Sequence, residues 1–390
     1  MNNSIFNDAS KAFAKMSTKD LKKEIRVFKL MNSWLNNKAT QAVAKFFLWL
    51  PLIKMLIKPF LRRTVFNIFC GGESISECLK TVNRLAANNV MTILDYSKEA
   101  GNENSYDVTL QELLNTIKEA KNNNNISFAV FKMTGIASKQ LLEKMSNKTA
   151  SKREALDFEK VKKRVDTLCI TAKRNGVKIL IDAEDYCYQN IIDSLAEEMM
   201  IKYNKDGFVV YNTIQLYRKD KLAYLKEIHE RLKNLGVKSA FKLVRGAYMD
   251  KERKRAKRGG YPSPIHSTKE KTDEDYNLAL KYFVSNSASM AICAGTHNQY
   301  STELLMSLMQ EFGINNKDER VFFAQLLGMA DNISNILGNA NFNVAKYVPY
   351  GLIEEAMPYL IRRADENKSI SGEMSRELSI RKEVLRKRKK

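Results

Sequence analysis

Residues 177–183 read VKILIDA. Val177, Ile179, Leu180 and Ile181 form an almost unbroken run of strand-favouring residues, too short for an ordinary helix. Such a run fits a strand buried on both faces, as in a parallel sheet. It ends on an acid, Asp182, with Glu184 and Asp185 just beyond. The same pattern returns along the chain at MTILDY (91–96), FAVFKM (128–133), GFVVYNTIQ (207–215) and SAFKLVRG (239–246). It continues with MAICAG (290–295), RVFFAQLLG (320–328) and VAKYVPYG (344–351), which makes eight.

The segments between these runs carry helical spacing. TLQELLNTIKEAK (109–121) places leucines on one face, and AYLKEIHERLKNLG (223–236) ends in a glycine suited to a helix C-terminus. YSTELLMSLMQEFG (300–313) predicts a helix opening at Ser301. Eight β–α alternations predict an α/β fold, a (β/α)8 TIM-like barrel. A doubly wound sheet is the alternative, but eight units in about 280 residues suit a barrel better. The expected layout is a helical N-terminal extension over 1–89, the barrel over 90–367, and a basic helical tail over 368–390. No GxGxxG or P-loop follows any strand, so a nucleotide would be held by loops at the barrel top.

The 390 residues are 44% hydrophobic, enough for a sizeable core, and carry only 6 prolines. Five scattered cysteines form no CxxC pair, and three dispersed histidines show no metal-ligand spacing, so no metal is expected. This cysteine usage points to a reducing, cytoplasmic compartment. The formal charge of +21 is mostly terminal. Residues 1–63 hold 13 Lys and Arg against 3 acids, and residues 376–390 hold 8 against 2, leaving a surplus of only 5 between them. A basic nucleic-acid-binding barrel is therefore the weaker interpretation of the charge. No secretory signal is visible. The most apolar stretch, Phe46–Leu61, is interrupted by Lys54 and Lys58 and is too short and too charged to span a bilayer.

In a barrel of this kind the C-terminal strand ends carry the chemistry. In chain order they offer Asp95 with Glu99, Lys132, Asp182 with Glu184 and Asp185, and Asn212 with Gln215. Then come Lys242 with Arg245 and Tyr248, Thr296 with His297 and Asn298, Gln325, and Tyr347. Lys132 and Lys242 interrupt apolar strands and so require a partner or a nearby anion. Beyond the last run, YVPYGLIEEAMPYLIRRADEN (347–367) places Tyr359, Arg362, Arg363 and Glu366 on one helix face. Met357, Leu360, Ile361 and Ala364 lie on the opposite face. Paired guanidiniums can grip a carboxylate or phosphate with two parallel hydrogen bonds; a solvated charged face gives the same spacing. The strand-end set reads as rich in cations with few neutralising carboxylates, which suggests an anionic cofactor, an acidic substrate, or both.

FKLVRGAYMDKERKRAKRGGYPSPIHSTKEKTDEDYNLAL (241–280), AGTHN (294–298), FFAQLLGMAD (322–331) and the YLIRRADEN segment resemble the proline dehydrogenase family. The likeness covers most of residues 64–370 and is nearest to the monofunctional, mitochondrial-type branch. It implies a (β/α)8 barrel, FAD as cofactor, and oxidation of L-proline to Δ1-pyrroline-5-carboxylate by hydride transfer from proline C5 to flavin N5. Carried over residue by residue, it implies that Arg362, Arg363 and Lys132 bind the substrate carboxylate. Tyr347 and Tyr359 would line the pocket, Asp182 would be its acid, and Glu99 would pair with the first arginine. Gln215, Lys242, Arg245, Gly246, His297, Asn298 and Glu366 would contact FAD. Lys242 and Met249 stand where some bifunctional members carry arginine and tryptophan.

The family passes its electrons to a membrane quinone. That gives the basic termini and Phe46–Leu61 an expected role in peripheral attachment to the inner face of an anionic membrane. Hydroxyproline dehydrogenase, a sibling on the same fold, and a catalytically silent relative remain as alternatives.

Overall fold

The computed structural model describes residues 5–7, 9–36, 62, 66–98, 102–356 and 373–388. Its eight strands are β1 (Met91–Tyr96), β2 (Ile126–Lys132), β3 (Lys178–Asp182), β4 (Val210–Gln215), β5 (Ser239–Val244), β6 (Met290–Gly295), β7 (Val321–Leu326) and β8 (Val344–Tyr350). They follow one another in chain order around a closed barrel, with parallel pairing along the series from β1 to β7. The fold is the (β/α)8 barrel that the alternation of runs predicts.

Several local boundaries differ by a few residues from the sequence reading, two of them for a visible side-chain reason. The fourth run begins at Gly207, yet β4 starts at Val210. Asn204 takes the N–H groups of Val209 (3.2 Å) and Val210 (2.9 Å) on its side-chain oxygen and donates to the Val210 carbonyl (2.9 Å). Residues 205–207 thereby bend ahead of the strand. The sixth β–α helix runs Gln299–Glu311 rather than opening at Ser301, because Asn298 is its N-cap and accepts the Ser301 N–H at 3.1 Å.

The chain divides into two compact units, residues 92–324 and residues 1–91 with 325–390. In the first, the two ends of the strands differ in chemistry. Near the N-terminal ends, Phe128 packs edge-on against Tyr211 (5.2 Å between centroids) and Phe322 (4.8 Å). Ionisable side chains gather at the opposite, C-terminal ends. The apolar end makes a packed floor and leaves the other end for function.

The second unit is tied by a buried arginine. Arg381, on the helix Glu373–Lys387, is fully buried. Its guanidinium donates to Glu24 (2.9 Å) on the helix Thr18–Asn36, to Asp331 (2.6 Å) on the helix Asp331–Asn339, and to Glu377. It lies 4.4 Å from the Phe28 ring centroid and 5.0 Å from that of Phe13. Lys346 on β8 reaches the other Asp331 oxygen at 2.8 Å. The basic C-terminal segment is thus a packed helix whose central cation is spent inside the fold. Gly338 allows close approach in the same unit, since a Cβ there would fall 2.3 Å from the Asn88 carbonyl oxygen.

Glu99, Phe46–Leu61 and the segment with Tyr359, Arg362, Arg363 and Glu366 lie outside the described residues. Among the described residues, no helix is long and apolar enough to cross a membrane.

Burial pushes the Asp331 carboxyl up, but Lys346 and Arg381 together outweigh it and hold the group below the usual carboxylate range. A carboxylate with a depressed folded pKa stabilises the fold above its ordinary pKa of about 4, and that contribution is lost as pH falls through the depressed value. Urea midpoints are expected to fall as pH is lowered from about 5 to about 2. Asp331→Asn should be less stable at neutral pH and should show a flatter acid dependence. An unchanged slope would place the acid sensitivity elsewhere.

Candidate active site

The ends of β1, β2, β3 and β5 bring together Asp95, Lys132, Asp182 and Lys242. Register explains part of this: Lys132 lies directly beside Asp182 in the β2–β3 pairing, and on its other side Asp95 of β1 is level with Val130, two residues earlier on β2. The Lys132 ammonium is 2.6 Å from both Asp95 oxygens and 3.9 Å from Asp182. Lys242 crosses over β4 to bond the other Asp182 oxygen. The small Thr213, which faces Lys242 in register, leaves room for this crossing. The four side chains are only 2–11% exposed, so their charges are viable only as alternating partners.

For the three described cations of the strand-end set, this arrangement supplies the carboxylates that the sequence did not reveal; Arg362 and Arg363 lie outside the described residues. Lys132 and Lys242 are matched by Asp95 and Asp182, and Arg245 is matched by Asp273 at 2.6 Å. Asp273 sits on the helix Lys269–Ser285, 28 residues beyond Arg245, where no spacing rule reveals it as a partner.

Arg245 also donates to the hydroxyls of Thr296 (2.5 Å) and Ser301 (3.0 Å) and lies over the Tyr276 ring at 4.4 Å. Thr296 in turn accepts the Asn298 N–H at 3.0 Å. Arg245 and Asn298, two of the expected cofactor contacts, therefore share one cluster, and the half-buried His297 lies between Thr296 and Asn298 in the chain. Gly246 follows with φ +139°, and a Cβ there would lie 2.3 Å from the Tyr217 ring, so no side chain fits.

Gln215, the last residue of β4, is buried and donates from Nε2 to the Glu184 carbonyl at 2.9 Å. Its Oε1 finds no hydrogen-bond partner among the described residues. Tyr347 lies on β8 in the other unit and is also buried, its carbonyl accepting the Leu327 N–H at 3.0 Å. The buried polar residues Thr134, Gln189, Asp193, Lys221 and Lys346 were not singled out from the sequence. A signal existed for some of them. Lys346 interrupts an apolar strand as Lys132 does, and Gln189 and Asp193 are four apart on a largely apolar helix.

Burial raises the Asp95 carboxyl above the usual range, reinforced by the neighbouring Asp182 charge and only partly offset by Lys132. The Asp95–Lys132 couple can therefore take up a proton more readily than an exposed ion pair. Lys132→Met should destabilise the protein by about 3–5 kcal/mol in urea unfolding, because Asp95 is left buried without its cation. Adding Asp95→Asn should restore most of the loss. If the double variant is no more stable than the single, the pair is not the source.

The proline dehydrogenase family model matches residues 78–376. "Proline dehydrogenase 2, mitochondrial" of Arabidopsis thaliana is 33% identical over 379 residues, covering 85% of this chain and 79% of the relative. "Hydroxyproline dehydrogenase" of Xenopus laevis is 37% identical over 231 residues, covering 58% of this chain and 49% of the relative. Among solved structures, proline utilization A from Bdellovibrio bacteriovorus superposes with a TM-score of 0.78 at 19% identity. That match covers 97% of this chain but only 44% of the longer one, and it supports the fold. The chain belongs to the proline dehydrogenase family of oxidoreductases.

Proposed function

We propose that this chain oxidises L-proline to Δ1-pyrroline-5-carboxylate, with FAD as cofactor and a quinone as the final electron acceptor. The observation that carries this reading is the Asp95–Lys132–Asp182–Lys242 set at the strand ends of a family barrel. The barrel portion, residues 90–367, is assigned the chemistry, with 1–89 and 368–390 as flanks.

Three features suit FAD. Gln215 offers a buried acceptor with no donor among the described residues. Gly246 removes a side chain beside Tyr217, and Lys242 supplies a cation at the strand end. We assign Gln215, Lys242, Arg245, Gly246, His297, Asn298 and Glu366 to hold it. When bound, FAD supplies the two-electron acceptor that oxidation of a carbon–hydrogen bond requires.

Arg362 and Arg363 are assigned to grip the proline carboxylate, with Lys132 as third cation and Glu99 as the partner of Arg362. Tyr347 and Tyr359 are assigned to flank the ring. A clamp remote from the reacting carbon turns binding energy into alignment. A substrate carboxylate arriving at Lys132 competes with Asp95 for the same ammonium. The raised pKa of Asp95 eases this exchange, since Asp95 can take a proton as it gives up its cation. Asp182 keeps Lys242 in place during the exchange.

The hydroxyproline dehydrogenase relative keeps a second substrate in view, and one spectrum separates the two. Purified protein should show flavin absorption bands that bleach on adding L-proline without an acceptor. Bleaching by hydroxyproline alone would move the assignment to that substrate, and a colourless protein that takes up no FAD would overturn it.

Quinone reduction calls for a membrane surface, and the C-terminal helix exposes Lys382, Arg386 and Lys387, the last also paired with Glu383 at 3.1 Å. Reversing all three to Glu, which leaves the buried Arg381 untouched, should reduce co-sedimentation with anionic vesicles at low salt. Unchanged sedimentation would remove this helix from the contact.

A further inference from the structure

A buried polar chain runs from an outer helix to the end of β4, and of its members the assignment above uses only the last, Gln215. Lys221, the first residue of the helix Lys221–Asn234, bonds Asp193. Asp193 Oδ1 accepts from Gln189 Nε2 (2.9 Å) and from Asn212 Nδ2 (3.0 Å). Gln189 Oε1 accepts the Glu184 N–H at 2.7 Å. The Glu184 carboxylate takes the N–H (3.0 Å) and the hydroxyl (2.5 Å) of Thr134, and its main-chain carbonyl takes Gln215 Nε2. None of Gln189, Asp193, Lys221, Glu184 and Gln215 is more than 4% exposed.

The consequence lies in the orientation of one amide. A carbonyl oxygen can only accept, so the group of Gln215 that meets it must be the NH2. Its oxygen then faces away, and that oxygen is the buried acceptor without a partner among the described residues. Glu184 cannot swing to release the amide, because its N–H, carboxylate and carbonyl are each held. A fixed, unsatisfied acceptor asks for a donor. The oxidised isoalloxazine ring has a single N–H, the imide at N3, and its other polar ring atoms are acceptors.

We propose that Gln189 is a positioning residue for the cofactor: by holding Glu184, it locks the Gln215 amide with its oxygen outward, so that the site selects a flavin retaining its imide N–H. This rests on the assignment of FAD made above. It adds a residue, and a chain of support behind it, that acts only through another side chain.

The test compares FAD with 3-methyl-FAD, in which the imide hydrogen is replaced by a methyl group, by fluorescence titration of the full-length apoprotein. Wild type should prefer FAD by about tenfold or more. Gln189→Met should bring the ratio of the two dissociation constants towards one. A merely structural role would weaken both flavins together and leave the ratio unchanged. Gln189→Glu at mildly acidic pH, where a protonated carboxyl offers the same donor and acceptor, should restore the preference. If Gln189→Met does not yield folded protein, Gln189→Asn, one methylene shorter, makes the same comparison. Equal affinity of wild type for the two flavins overturns the inference and leaves the flavoprotein assignment standing. So does an undiminished preference in the Gln189 variants. Binding of neither flavin overturns both.

Discussion

Four charges at the strand ends are almost entirely withdrawn from water, and the barrel can hold them there only because they alternate in sign. Asp95, Lys132, Asp182 and Lys242 form one line across β1, β2, β3 and β5, each cation against a carboxylate. Desolvating a single ion costs several kcal/mol, so removing any one member strands its neighbour. That constraint fixes side chains from four strands relative to one another before any ligand arrives. Among the described residues these four charges cancel, so each cation of the line is already engaged.

Behind this line lies a second layer of support, a chain of side-chain amides anchored on the Lys221–Asp193 ion pair. Glu184 is held at three points, and through it Gln215 is held at one. The two layers use different physics. The ion pairs fix position through charge, which tolerates some displacement. The amide chain fixes orientation through the donor and acceptor inventory, where a wrong rotation loses a hydrogen bond outright. Arg245 combines both, with Asp273 as its counter-charge and two hydroxyls setting the plane of its fork.

Arg381 plays the corresponding part in the other unit. It joins the helix Glu373–Lys387 to Glu24 and Asp331 while its plane meets Phe13 and Phe28. A lysine has the charge and three donors, but not the flat, wide fork that reaches carboxylates on three helices while its plane meets the rings. A segment that looks like a solvated basic tail in composition therefore has an interior side. Lys382, Arg386 and Lys387 remain exposed on its outer side.

The sequence by itself determined the barrel, because eight apolar runs at regular spacing leave few other ways to bury strands on both faces. It also marked the strand ends, and Lys132 and Lys242 among them, because a lysine inside an apolar strand demands an explanation whatever its partner. The motif around Arg362 and Arg363 carried the family likeness. Partners were not legible. Asp95 lies 37 residues from Lys132, and Asp182 lies 60 from Lys242, so no local periodicity connects them. Asn298 read as a site residue, and the fold shows that its side chain also caps a helix. Gln189, Asp193 and Lys221 read as ordinary polar positions on outer helices until packing closed them off from water. Periodicity encodes which face of an element is buried; which charges meet there, and which oxygen is left without a donor, is settled only when distant strands come into register.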